Sequence, residues 1–441
     1  MKKINLFIIY FFGAFVSLLY ATIDFQPFKA YMPRSDASAI LADIKYQNNT
    51  NISGAQTIFN NIKQIKSYEE IRELSDAAAI KEFISSGFFE REKKPCFYIY
   101  SQQRKDIVNT GIIGKISIEN YEKGEIKKHE NIIESKAEFA QDIITIQNAF
   151  IEPILLCYKD NPIINNIIAK KIASYPDFVI DTKHKTKHFI WKIKDEKSIN
   201  EISKIFSTIP NLYIADGHHR SAAAQRLKNA KKNIAGDKSC NANTNNNQEL
   251  CEINYMTAAV FPESQITIYP YHRLLKEINN LTKSEFKKLL GQSFTIEKTI
   301  KKTVPHKNIR MFYNSQWYTL KLKKQNPDST WNKFKNLFKK PQNYPIENII
   351  PYIFQKNVIE PIFKNDSNKI GQNIEFVSGN LSIENLLLKY IKGDFVVMFL
   401  LPALSFSDLL KVVNSNENLP PKSTWIEPKI KAGIFVKELE E

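Results

Sequence analysis

Apolar residues along the chain gather in short runs, and polar stretches of helical period separate them. That alternation predicts an α/β (α+β) fold. Cys96–Tyr100 (CFYIY) and Asn109–Ile118 (NTGIIGKISI) read as strands, and the polar connector Ser101–Asp106 predicts a hairpin between them. Ile154–Tyr158 (ILLCY) and Phe189–Ile193 (FIWKI) read as short buried strands, the second followed by a helix over INEISKIFSTI. Leu212–Ala215 (LYIA) is a strand that delivers Asp216, and an Ala-rich helical pattern runs from Ser221 to Lys231. Tyr255–Phe261 resumes as a strand, Gln265–Tyr269 leads into a turn at Tyr269–Arg273, and Asp394–Leu401 (DFVVMFLL) is a buried strand. Residues 35–94 carry an Ala/Ile/Leu stripe of helical period, and a second helical stretch follows His129-Glu130 to Asn148.

Composition then sets boundaries. Lys2 and Lys3 precede an apolar run from Ile4 to Tyr20, and Ala21 offers a small residue for cleavage. Residues 1–21 thus read as a signal peptide or membrane anchor, implying an exported or anchored protein. A cytoplasmic location is the alternative if translation starts downstream. Residues 22–275 form one α/β domain, broken by an Asn-rich insertion at 232–253 that reads as solvent-exposed. After residue 275 the chain becomes richer in Lys, and residues 276–441 form a C-terminal α/β domain.

The chain has 441 residues, 43% of them hydrophobic, enough for more than one core. Its net charge of +16 comes almost wholly from Lys scattered among Asn and Ile. That pattern fits a solvated surface rather than an Arg- and aromatic-rich groove, so no nucleic-acid partner is expected. The only membrane contact expected is through the leader. Cys96 and Cys157 lie in apolar runs and read as buried thiols. Cys240 and Cys251 flank the Asn-rich stretch and are either a loop-closing pair or two free thiols. No GxxxxGK[ST], GxGxxG, kinase or GxSxG motif is present, which disfavours ordinary nucleotide folds and α/β hydrolases.

The densest chemistry is Asp216-Gly217-His218-His219-Arg220, between a strand and a helix. Gly217 permits a sharp turn and close backbone approach. The helix start offers unpaired N–H groups and partial positive charge, which suits a phosphate. His218, His219 and Arg220 add donors there, and Asp216 is a carboxylate that can act as base or hold Mg²⁺. The plain alternative makes Asp216 an N-cap and the histidines surface residues. Cationic side chains in a first turn oppose the helix dipole, however, and an anion would relieve that conflict. His129-Glu130, Tyr271-His272-Arg273, and Lys422-Ser423-Thr424 with Lys429 matter only if they fold against this turn.

The chain resembles the DUF1015 family. The resemblance rests on YEKGEIKKHE at 121–130, LYIADGHHRSAAA at 212–224, YPYHR at 269–273 and LPPKSTWIEPKIKAGIFV at 419–436. Where members of that family follow the His-Glu block with Thr, Lys-Glu and Asp-Arg, this chain has Ile132, Lys136-Ala137 and Glu138-Phe139. The DGHHR turn is similar to that of the ParB/sulfiredoxin-like fold, which includes free-serine kinases. The resemblance implies a ParB/sulfiredoxin-like core with added N- and C-terminal α/β parts. It implies a small-molecule phosphotransferase acting on serine or a similar hydroxy amino acid, with ATP, ADP or pyrophosphate as donor and Mg²⁺ as cofactor. Glu130, Asp216 and His219 would be catalytic. Gly217, His218, Arg220, His272, Arg273, Lys422, Ser423 and Thr424 would bind phosphate or nucleotide, and Asp216 would hold the Mg²⁺. A nucleotide-binding regulatory module and a phosphatase on the phosphorylated amino acid are the alternatives.

Overall fold

The computed structural model describes residues 22–33, 84, 87, 89–182, 186–235, 252–304, 306–323, 346–415 and 417–439. The leader, residues 35–83 of the helical-pattern stretch, Cys240, Cys251 and residues 236–251 of the insertion lie outside the described residues.

The α/β class expected from the sequence holds, and among the described residues two large sheets organise it. The first has nine strands. Eight of them follow the order Ile126–Lys127, Leu212–Asp216, Ile154–Tyr158, Tyr255–Pro262, Ile107–Ser117, Phe97–Arg104, Thr186–Ile193, Phe178–Thr182. Phe25–Gln26 pairs with Ile107–Ser117 as the ninth. The sheet is mixed: Leu212–Asp216 runs parallel to Ile126–Lys127, and Tyr255–Pro262 runs parallel to Ile154–Tyr158.

The expected hairpin forms, but its strands are longer than the apolar runs. The polar residues after Tyr100 stay in the ladder because they find cross-strand partners. Ser101 Oγ meets Thr110 Oγ1 at 2.6 Å in a buried pair. The turn shrinks to Lys105-Asp106, with Lys105 in the left-handed region at φ 53°.

Strand alternation divides the hairpin's side chains between two cores. Phe97 and Ile99 point to one face with Phe25, Trp191, Ile202 and Phe206. Tyr98 and Tyr100 point to the other with Phe261, Leu409 and Phe435. Burial on both faces is why these strands read as nearly continuous apolar runs. Cys96 and Cys157 are buried free thiols, as expected.

The second sheet has seven strands. Its path is Phe294–Thr299, Gln316–Leu322, Ile309–Tyr313, Val397–Leu400, Thr267–Leu275, Ile374–Ser378, with Thr424–Glu427 also pairing with Thr267–Leu275. This corrects the turn expected at Tyr269–Arg273, because Thr267–Leu275 is one strand that changes partner at Pro270. Thr267–Pro270 pairs with Thr424–Glu427, and Tyr271–Leu275 pairs with Ile374–Ser378. Proline lacks an N–H, so the point where one ladder gives way to another tolerates it. Its carbonyl accepts from Gly379 N–H at 2.8 Å. Phe89–Arg91, at the end of the stretch expected to be helical, is likewise a strand, paired with Tyr31–Pro33.

After the second sheet the chain returns to the first. Leu419 N–H donates to His129 O at 3.0 Å, and Tyr31 and Val436 exchange backbone bonds of 2.9 and 3.0 Å. Ile426, Ile430, Ile434 and Phe435 bury in the core beside Tyr98 and Tyr100. The PPKST segment is thereby laid against the His129-Glu130 block. Among the described residues no helix is long and apolar enough to cross a membrane.

Candidate functional site

Leu212–Asp216 ends in the DGHHR turn, and the helix His218–Ala235 begins at the next residue but one. Gly217 makes the junction at φ +99°, a backbone that side chains rarely adopt. A Cβ there would lie 2.9 Å from Ile154 Cγ2 and 3.3 Å from Arg220 Cζ. Gly217→Ala is therefore expected to destabilise the protein by about 1–3 kcal/mol. Thermal unfolding checks this, and an unchanged melting temperature would contradict it.

The helix starts three residues earlier than the Ala-rich pattern suggested, so both histidines lie in its first turn. His218 turns inward and is 5% exposed, whereas His219 is only partly buried. His219 Nε2 accepts the Ile133 N–H at 3.2 Å. That bond leaves Nδ1 as the protonated nitrogen of neutral His219.

Arg220 was expected to reach a phosphate, but its guanidinium is turned onto the protein. One nitrogen donates to Glu152 O at 3.0 Å and Pro153 O at 2.6 Å, and the other donates to Asp216 Oδ2 at 2.8 Å. The other Asp216 oxygen, Oδ1, binds Lys429 Nζ. Burial pushes the Asp216 carboxyl up, but Arg220 and Lys429 outweigh it and hold the group below the usual carboxylate range. With a cation on each oxygen, Asp216 does not fit the Mg²⁺ ligand role expected of it.

The His129-Glu130 block reaches this turn through the C-terminal segment, as Glu130 bridges in parallel to Leu419. The His129 and His218 rings stand edge to face, 4.5 Å apart. His129 Nε2 lies 3.3 Å from Thr424 Oγ1. Burial pushes His129 down to about 4 and His218 well below the ordinary histidine value, so both rings are neutral at pH 7. Glu130 is raised by burial, with Lys422 and Lys136 partly offsetting it and Asp216 adding to it. Among the described residues no cation lies within ion-pair distance of Glu130.

Of the YPYHR block, Tyr271 faces the site. Lys422 Nζ lies 5.2 Å above its ring and 3.5 Å from its hydroxyl. Burial, with the charges of Asp216 and Glu130, pushes this phenol to about 12. Arg273 does not face a ligand: it is 1% exposed and donates to Tyr271 O at 2.7 Å and Lys422 O at 3.0 Å. Its guanidinium also lies 4.4 Å from the Phe376 ring centroid. Its role is to fix the backbone that carries Lys422. His272 is buried, and strand alternation turns it away from Tyr271.

In the PPKST segment, Ser423 Oγ donates to Pro420 O at 2.6 Å, which removes it from phosphate binding. Thr424 contacts His129. Lys422 is the member that faces the site, and its backbone sits in the left-handed region at φ 58°. Burial and the charges of Lys136 and Lys429 lower its ammonium pKa, with Glu130 and Asp216 opposing.

The site that results is a cluster of three lysines, Lys136, Lys422 and Lys429, with the neutral His219, about two carboxyls, Asp216 and Glu130. Lys136 was legible only as the retained lysine of the family's Lys-Glu pair, whose Glu is Ala137 here. Lys429 also lies 5.1 Å from the Trp425 ring and lines a cavity of about 600 Å³ with Arg104, Tyr269, Asn380 and Lys431. A different donor set is assembled beside Asp216: one ligand atom each from His129, Glu130 and His218 lies within 4.8 Å of the others.

The model of the family described as "Protein of unknown function (DUF1015)" matches residues 31–345. No curated protein matches the chain. Among solved structures, a free serine kinase in complex with AMP is 13% identical, covering 74% of this chain and 90% of that one, with a TM-score of 0.38. A conserved hypothetical protein from Pyrococcus furiosus is 14% identical over 74% and 94% of the two chains, with a TM-score of 0.36. SbnI with a C-terminal truncation, from Staphylococcus aureus, is 12% identical over 71% and 82%, with a TM-score of 0.35.

Proposed function

The chain belongs to the DUF1015 family, and we propose that its cleft transfers a phosphoryl group from a nucleotide or pyrophosphate to the hydroxyl of a small hydroxy amino acid such as serine. One observation carries the reading: two neighbouring carboxyls sit in opposite environments. Asp216 is held ionised between two cations, while Glu130 has no ion-pair partner among the described residues and is raised by burial. Splitting two acids in this way assigns them different tasks.

Glu130 is the proton acceptor. The acceptor hydroxyl oxygen bonds to the transferred phosphorus, and its proton passes to Glu130. The bond from phosphorus to the leaving phosphate breaks, and its electron pair leaves on that oxygen. Lys422, Lys429 and Lys136 balance the charge that collects there, His219 Nδ1–H donates to it, and the first N–H groups of the His218–Ala235 helix add partial positive charge. Asp216 holds Lys429 and Arg220 in place. The acceptor class rests on the sequence resemblance of the DGHHR turn.

The test is a screen of ATP, ADP and pyrophosphate against hydroxy amino acids with the full chain, read by mass spectrometry. With the active pair in hand, Glu130→Gln is expected to lower kcat by about 10²–10⁴ while donor affinity stays within a few fold. Full turnover by Glu130→Gln would remove it as the base. A donor that binds while no acceptor is phosphorylated would point to a regulatory module instead.

A further inference from the structure

We infer that His129, Glu130 and His218 form a binding site for a divalent transition metal of the zinc, cobalt or manganese class. One ligand atom from each lies within 4.8 Å of the others. That separation lets a modest shift of three side chains bring all of them to the roughly 2.0–2.2 Å of a metal–ligand bond. His218 supplies an independent observation: it is 5% exposed, and its Nε2 is buried with no hydrogen-bond partner among the described residues. A buried imidazole nitrogen left unpaired is costly, and in native proteins such an atom usually has an unseen partner. The His129 ring lies 4.5 Å away at nearly a right angle.

The chemistry of the donors selects the ion. Two imidazoles and one carboxylate are a borderline-soft set, suited to zinc, cobalt or manganese rather than to magnesium, which prefers oxygen ligands and retained water. Three protein ligands leave a fourth position open, as in metal sites that act on a bound molecule. A carboxylate also has two oxygens, so ligation through one leaves the other for an acceptor hydroxyl. Two of the nearby lysines are engaged elsewhere: Lys429 is bound to Asp216, and Lys422 lies over Tyr271.

Metal binding can be measured without donor or acceptor, so its outcome is separate from that of phosphoryl transfer. The full chain, stripped with chelator and without a polyhistidine tag, is titrated with Co²⁺ and then Zn²⁺ by visible absorption and equilibrium dialysis. One equivalent of Co²⁺ is expected, with d–d bands that Zn²⁺ bleaches and that millimolar Mg²⁺ leaves unchanged. His218→Gln and Glu130→Gln should each weaken binding at least tenfold, with thermal unfolding confirming that the variants fold. In the wild type, Co²⁺ should raise the melting temperature, a readout that does not depend on any variant. No stoichiometric uptake by the wild type would overturn the site. Displacement of Co²⁺ by Mg²⁺ would overturn the class of ion, and equal affinity in folded variants would overturn the ligand set.

Discussion

Asp216→Asn is expected to reduce kcat/KM for phosphoryl transfer by about 10²–10³ while leaving the DGHHR turn in place. Asn is nearly the same size as Asp and still offers one acceptor, so the loss is mainly one of charge. Arg220 keeps its bonds to the Glu152 and Pro153 carbonyls and goes on bracing the turn. Lys429 has no such second anchor among the hydrogen bonds of the described residues, and its ammonium is released from Oδ1. A lysine held only by the Trp425 ring neutralises the leaving phosphate less well, because much of its contribution depends on being held in place beforehand. The defect should therefore appear both as weaker donor binding and as slower turnover. Lys429→Met should give a defect of similar kind, and the double variant should be much less impaired than the product of the two single effects. Steady-state kinetics and donor titration check this. A kcat/KM for Asp216→Asn within threefold of wild type would show that the clamped carboxylate has no part in transfer.

The sequence made the elements around this site legible where burial on both faces leaves a plain signal. Ile154–Tyr158 and Leu212–Ala215 were readable because every residue in them is apolar and the sheet covers both of their sides. The DGHHR turn was readable because glycine and a crowd of donors at a strand-to-helix junction have few purely structural uses. Direction was not readable. Arg220 and Arg273 look like phosphate ligands in a string of letters, yet each meets backbone carbonyls instead. A guanidinium has five donors and serves equally well to brace irregular backbone. Ser423 was misplaced for the same reason, since its hydroxyl closes on the Pro420 carbonyl. The strand Thr267–Leu275 was hidden because proline usually signals a turn, and only the change of pairing partner at Pro270 explains its tolerance. Lys136 and Tyr271 reach the cleft through tertiary packing, for which no local pattern exists.

The protein is also expected to lose stability steeply between pH 6.5 and pH 4, with His188 as a principal cause. His188 is fully buried, and its Nδ1 lies 2.6 Å from the Tyr100 hydroxyl. Burial, reinforced by the charge of Lys431, pushes the imidazole down to about 3 from an ordinary value of 6.5. The unfolded chain thus binds a proton near pH 6.5 that the folded protein refuses until about pH 3. Stability from keeping this ring neutral is fully present above pH 6.5 and is lost as the pH falls through that window. One such histidine gives a slope of about 1.4 kcal/mol per pH unit well inside the window. His272, pushed down to about 4 by burial, adds to the slope over a narrower range. His188→Phe keeps a ring beside Tyr100 but cannot titrate. It leaves the Tyr100 hydroxyl without this partner, so at pH 7.5 it should be less stable by about 1–3 kcal/mol. Its unfolding free energy should nevertheless fall less steeply with acid, by about 1.4 kcal/mol per pH unit between pH 6 and pH 4. Urea unfolding at half-unit steps from pH 7.5 to pH 4 measures both quantities. Parallel curves for wild type and variant would mean that His188 takes up its proton in the folded state as readily as in the unfolded one.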